Sequence, residues 1–148
     1  MGQRLYDKNA IVTGAARGMG FAIAKALHQE GSRVAILDID EKGVVEAAKR
    51  LDEKQERMIG RKIDVTNRSN VHSFIHEMKK LWGSIDILVN NAGGALNTPH
   101  LLEEIQEKDW NLVLDVNLKG AFLCCQAVIP EMVKQKGGVI VNISSGAE

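Results

Sequence analysis

Residues Thr13-Gly14-Ala15-Ala16-Arg17-Gly18-Met19-Gly20 place a glycine-rich turn between two segments of different periodicity. The apolar run Asn9-Ala10-Ile11-Val12 precedes it, and Phe21-Ala22-Ile23-Ala24-Lys25-Ala26-Leu27 follows with helical spacing. Strand, glycine turn and helix in that order leave few folds open. The same context meets the needs of a dinucleotide pyrophosphate. It offers a turn without bulky side chains, close backbone approach, and helix N–H groups aimed at the anion. Arg17 and Met19 stand inside that turn and join Gly14, Gly18 and Gly20 as candidate cofactor contacts.

Strand and helix patterns alternate along the rest of the chain. The first strand spans residues 9–13 and the first helix 18–29, closed by Gly31 as a C-cap glycine. Residues 33–38 are nearly all apolar, as in a strand buried on both faces. Asp40 caps a helix to about Leu51, with Val44, Val45 and Ala48 on one side. Residues 49–57 read as a charged connection. Residues 57–65 contain the third strand, and Thr66 or Asn67 caps a helix bearing Val71, Phe74, Ile75 and Met78. The fourth strand is expected at 85–89, a long helical region at about 105–134, and the fifth strand at 139–143. Trp110, Val113, Leu114, Leu118 and Phe122 are expected to form the apolar face of the long helix. The pattern predicts an α/β fold with a doubly wound parallel sheet and right-handed crossovers. In such a sheet, ligands bind at the C-terminal strand ends.

Composition narrows the function classes. The chain has 148 residues, 19 basic and 19 acidic side chains, and no Lys/Arg block. That balance speaks against nucleic acid or an anionic membrane as the main partner. The start lacks an apolar signal core, and no uninterrupted apolar run approaches a membrane span. Cys124 and Cys125 are adjacent, a spacing that suits neither zinc nor a disulfide framework, and fit a reducing, cytoplasmic setting. His72 and His76 lie four apart without a third ligand or an HExxH pattern, so they read as a solvated helix face and no metal is expected. His100, which follows the fourth strand's turn, reads as a surface residue with the substrate side as its other possible place.

Candidate binding residues fall at the strand ends. Asp38 ends the second strand, where a carboxylate can hold the adenosine ribose hydroxyls and repel a 2′-phosphate. It favours NAD over NADP. Arg17 is the counter-signal, since a guanidinium in the turn can approach a 2′-phosphate. Asp64-Val65 ends the third strand and could hold the adenine amino group and ring. An Asp leading into a turn is an equal alternative there.

Thr13-Gly14-x-x-x-Gly18-x-Gly20, Asp64-Val65, Asn90-Asn91-Ala92-Gly93, a long helix bearing Asn117, and Val141-Asn142-Ile143-Ser144-Ser145 occur in that order. Over essentially all its length the chain resembles the N-terminal part of a short-chain dehydrogenase/reductase. The resemblance implies a Rossmann-type sheet of strand order 3-2-1-4-5, with further strands in complete members. It implies that Gly14, Gly18 and Gly20 form the cofactor loop, that Asp38 binds ribose, and that Asp64 and Val65 hold adenine. The Asn90, Asn91, Ala92 and Gly93 segment would line the cofactor beneath the nicotinamide. Asn117 would hold a proton-relay water through its backbone carbonyl. Ser145 would orient and polarise the substrate oxygen, with Ser144 as runner-up.

The implied activity is hydride transfer between nicotinamide and a small alcohol or ketone substrate. In the family a Tyr-x-x-x-Lys pair follows the Ser and supplies the acid/base. Here the sequence departs from the pattern, because its single tyrosine is Tyr6. The 148 residues are therefore expected to form an NAD(P)-binding domain that is C-terminally incomplete and inactive alone. The fifth strand would be an exposed apolar edge that promotes association. The resemblance also implies a homo-oligomer, built on the long helix with Trp110 and Phe122. Periodicity alone cannot separate this from packing of both residues on the sheet. A non-catalytic nucleotide-binding module is the alternative reading. A methyltransferase also uses a glycine turn and an acid, but the Asn90–Gly93 and Ile143–Ser145 segments disfavour it.

Overall fold

The computed structural model describes residues 3–54, 56–99 and 101–144. Among the described residues five strands alternate with helices: β1 (Asn9–Thr13), α1 (Gly18–Gln29), β2 (Arg33–Asp38), α2 (Glu41–Leu51), β3 (Met58–Lys62), α3 (Arg68–Trp82) and β4 (Ile87–Asn90). A 3-10 turn (Leu102–Glu104), α4 (Glu107–Leu114), a π turn (Asp115–Lys119), α5 (Gly120–Lys134) and β5 (Val139–Asn142) complete the order. The sheet order is β3-β2-β1-β4-β5. Every pairing is parallel, with Ile11 opposite both Ala35 and Leu88. This is the expected 3-2-1-4-5 Rossmann-type order.

The two-residue repeat of each strand sorts its side chains into two cores. Ile11, Ala35, Leu37 and Leu88 face α3 and α5, meeting Phe74, Ile75, Met78, Cys124 and Val128. Ala10, Val12, Val34, Ile36 and Val89 face α1 and α2, meeting Ala24, Val44, Ala47 and Ala48. β1 is buried throughout, its apolar centre Ala10-Ile11-Val12 bounded by the buried polar side chains of Asn9 and Thr13. Val45 departs from expectation and is exposed; Ala47 takes its place on the buried side.

Helix ends follow local chemistry. Asp40 accepts from Gly43 N at 3.0 Å, and Asn67, rather than Thr66, caps α3 by accepting from Asn70 N at 3.0 Å. Gly31 follows the α1 C-cap with φ +96°.

β4 begins two residues later than its sequence suggests. Ile85 is fully buried, but its backbone is satisfied by a side chain. Gln135 Nε2 donates to Ile85 O at 2.8 Å, and Ile85 N donates to Gln135 Oε1 at 3.4 Å.

The long helical region also differs from its expectation. It is broken by the π turn, and by length and composition the stretch Glu107–Lys134 could cross a membrane. Only its α5 part packs on the sheet, burying Leu123, Cys124, Ala127, Val128 and Met132 against it and α3. Trp110, Leu114, Leu118 and Phe122 are exposed, and Val113 is half-buried. They therefore do not form the sheet-facing side. β5 pairs with β4 along one edge and leaves Val139 and Val141 exposed.

Candidate functional site

The glycine turn after β1 and the loop after β4 form one hydrogen-bonded unit. Thr13 Oγ1, buried at the strand end, accepts from Asn91 N and Ala92 N, both at 3.0 Å. Asn91 Nδ2 returns two bonds, to Thr13 O at 3.0 Å and Gly14 O at 2.9 Å. Such closeness requires glycine. Gly14 has φ +62°, and a Cβ there would lie 2.7 Å from Ala92 Cα. A Cβ on Gly20 would collide with Gly14 O and Asn91 Nδ2.

α1 starts from this turn without a side-chain cap and without an acid in its first turn. Its first N–H groups have no intrahelical partner. α2 and α3, by contrast, have their own caps. The uncapped N-terminus and the glycines at 14, 18 and 20 suit a bound anion. Arg17 and Met19 are exposed on the rim of the turn.

A cavity of about 540 Å³ opens at these C-terminal strand ends. Gly14, Arg17 and Met19 wall one part of it; Asp38, Ile39, Asp64 and Val65 wall the next. Asn91, Ala92 and Gly93 stand after β4, with Leu112 and Val116 opposite. Asp38 is held in place, with Oδ2 accepting from Ala16 N at 3.0 Å and Oδ1 from Asp40 N at 3.1 Å. Asp64 Oδ1 accepts from Thr66 N at 2.9 Å and Thr66 Oγ1 at 2.7 Å. It therefore forms a turn and lines the cavity as well. Val65 packs on Gly120, where a Cβ would come within 2.8 Å of it.

Gly18 (φ +61°) and Gly20 shape the turn from outside the cavity wall. Asn90 is buried between strands, its Nδ2 donating to Asn142 Oδ1 at 2.8 Å and lying 3.3 Å from Cys125 Sγ. Asn117 reaches the same loop from the π turn. Its Oδ1 accepts from Gly94 N at 2.9 Å, while Nδ2 donates to Gly94 O at 3.0 Å and Val113 O at 2.8 Å. Its side chain thus takes an acceptor that the α-helical backbone would use, beside the π-type bond from Gly120 N to Asp115 O.

Ser144 is exposed after β5, whose Asn142 lies opposite Asn90 at this end of the sheet. Ser145 and His100 lie outside the described residues. His72 and His76 are exposed on α3. Burial pushes the Cys124 thiol up to about 12, and neighbouring Cys125 adds to the shift.

Sequence reasoning passed over Ile39, Leu96, Leu112 and Val116, which all line the cavity. Leu112 and Val116 are four residues apart, which is the spacing of one helix face. Their place only becomes clear once the π turn has set the direction of that face.

A second cavity of about 440 Å³ lies at the opposite strand ends, beside Lys8, Ser84 and Asp86. Asp86 is already engaged there by Asn9 N, Ser84 Oγ and Lys8 Nζ.

The comparisons with known proteins agree with this geometry. The family model for short chain dehydrogenase matches residues 8–148. The chain is 39% identical over 143 residues to the NAD-dependent glycerol dehydrogenase of Listeria innocua, covering 97% of this chain and 54% of that one. It is also 39% identical over 140 residues to a 3-oxoacyl-acyl-carrier-protein reductase of Staphylococcus epidermidis, covering 94% and 57%. Its fold superposes on the crystal structure of an NAD+-bound xylitol dehydrogenase with a TM-score of 0.90 at 32% identity, covering 96% and 54%. The chain thus spans little more than half the length of these relatives. With its β3-β2-β1-β4-β5 sheet and glycine-turn cavity, the chain belongs to the short-chain dehydrogenase family of oxidoreductases.

Proposed function

We propose that these residues form the dinucleotide site of an NAD-dependent oxidoreductase acting on a small alcohol or ketone. The observation that carries the choice of NAD is Asp38. Its carboxylate is fixed at the end of β2 by Ala16 N and Asp40 N, on the wall of the cavity. A fixed negative charge there accepts ribose hydroxyls and repels a 2′-phosphate. Arg17 lines the same cavity from the glycine turn, where its guanidinium is the one feature that would favour a 2′-phosphate.

The uncapped start of α1 and the turn at Gly14 support binding of the pyrophosphate. Asp64 and Val65 support adenine binding, and Asn91, Ala92 and Gly93 support placement of the nicotinamide end. When bound, the nicotinamide supplies the hydride acceptor or donor. Ser145, with Ser144 as runner-up, orients and polarises the substrate oxygen. The backbone carbonyl of Asn117 holds a relay water.

The general acid/base is a tyrosine in this family, and Tyr6 does not fit that role. It precedes β1, at the end of the sheet away from the cavity, with Arg57 stacked 5.3 Å from its ring centre. The 148 residues by themselves are thus expected to bind NAD without turnover. A cytoplasmic setting fits the two free cysteines. The exposed apolar row on α4 and α5 supports a homo-oligomer.

Calorimetric titration tests the reading. NAD should bind at least about tenfold tighter than NADP, from charge repulsion at Asp38. Asp38→Ala should erase most of that preference. Binding of S-adenosylmethionine without binding of NAD would overturn the proposal.

A further inference from the structure

We infer that Leu96 is a positioning residue, held in a strained turn so that its side chain can wall the dinucleotide cavity beside Ala92 and Gly93. The inference rests on the dinucleotide reading above and adds a residue to it.

The turn is defined by two bonds onto one acceptor. Thr98 N donates to Ala95 O at 3.1 Å, and Thr98 Oγ1 donates to the same oxygen at 2.7 Å. Between them, Leu96 has φ +54° and Asn97 φ +59°. Two consecutive left-handed residues inside such a turn are the type I′ pattern, which selects glycine, asparagine and aspartate. Asn97 fits. Leu96 does not, because its Cβ crowds the backbone in this conformation. Among the described residues, Asp7, Lys136 and Asn97 are the other non-glycine residues with positive φ, and all three are polar.

A leucine in such a place needs a reason, and strain of this kind collects at ligand sites. The cavity supplies one. Leu96 is half-buried and lines the cavity that holds Gly14, Asp38 and Ala92. Leu101 and Leu102, a few residues on, are 54% and 80% exposed, so the segment does not bury leucines as a rule. The turn also hangs from a fixed point, since Asn117 binds both the N–H and the carbonyl of Gly94. An anchored turn can hold Leu96 against the cavity, where a loose loop would let it relax away.

The test uses Leu96→Gly, Leu96→Ala and Leu96→Met, with thermal melting and calorimetric titration of NAD. At an ordinary loop position alanine is at least as stabilising as glycine, because glycine frees the unfolded chain. Here the order should invert. Leu96→Gly relieves the left-handed strain and should melt about 1–3 °C above Leu96→Ala. Both should bind NAD about three- to tenfold more weakly, since each removes the apolar wall. Leu96→Met should restore binding to within about twofold. Leu96→Ala melting at or above Leu96→Gly would overturn the strain argument. Unchanged NAD affinity in both truncations, with a wild type that binds NAD, would overturn the positioning role alone. A wild type that binds no NAD would overturn the dinucleotide reading and this inference with it.

Discussion

Asn117 and Gly94 clasp each other at two points: Oδ1 accepts from Gly94 N at 2.9 Å, and Nδ2 donates to Gly94 O at 3.0 Å. The clasp joins the π turn to the loop that carries Ala92 and Gly93. Gly93 is shaped to it, since a Cβ there would stand 2.5 Å from Asn117 Oδ1. Asn117→Ala should cost about 1–2 kcal/mol of stability, the scale of a few partly solvated hydrogen bonds. It should also weaken NAD binding by loosening the loop. Asn117→Asp keeps the acceptor and loses the donor to Gly94 O and Val113 O, so it should be no better than alanine. Denaturant melts and NAD titration of both variants check this.

The glycines of the turn differ in kind. Gly20→Ala drives a methyl into Gly14 O and Asn91 Nδ2, and should cost about 3 kcal/mol by overpacking. Gly18 has open space around its missing Cβ and only its φ of +61° to protect. Gly18→Ala should cost about 1 kcal/mol. Equal losses in urea melts would contradict this division.

The adjacent cysteines should react at different rates. Cys124 is buried, and its thiol is pushed up to about 12, so almost no thiolate is present at neutral pH. Cys125 is half-buried beside Asn90. Native protein treated with iodoacetamide at pH 8 should label Cys125 first, with Cys124 labelled at the rate of unfolding. Peptide mapping over time distinguishes the two sites. Labelling of Cys124 at the rate of Cys125 would rule out its burial.

The row Trp110, Leu114, Leu118 and Phe122 should drive self-association. Trp110 is 56% and Phe122 53% exposed, a cost that a partner surface would remove. Phe122→Glu should weaken association at least tenfold, as loss of a central aromatic contact does. Sedimentation against concentration measures it, and a wild type that stays monomeric at high concentration would refute the interface.

Most of the sheet was legible because the information is local. The buried centres of β1 and β2 are continuous apolar runs, Ala10 to Val12 and Val34 to Leu37, and Asp40 and Asn67 announce the helix starts beside them. The candidate site was legible for a related reason, since Gly14 directly follows β1 and Asp38 ends β2; Asp64, expected to end the third strand, instead stands two residues past β3, in the turn that its own carboxylate closes with Thr66. Val45 and Ile85 depart from the local pattern because tertiary packing sets their places. The face that α2 turns to the sheet buries Ala47 and leaves Val45 exposed, and Gln135 takes the backbone of Ile85 from fifty residues away.

By itself, the sequence determined the strand–helix alternation, the glycine turn and the acids at or just past the strand ends, because periodicity and turn chemistry act over a few residues. Tertiary structure alone decided three things. It turned Trp110 and Phe122 outward, it bonded Asn117 to Gly94 across 23 positions, and it set Leu96 against the cavity in a left-handed turn. Each depends on which surfaces and acceptors the folded chain brings within reach, and no local pattern carries that distance.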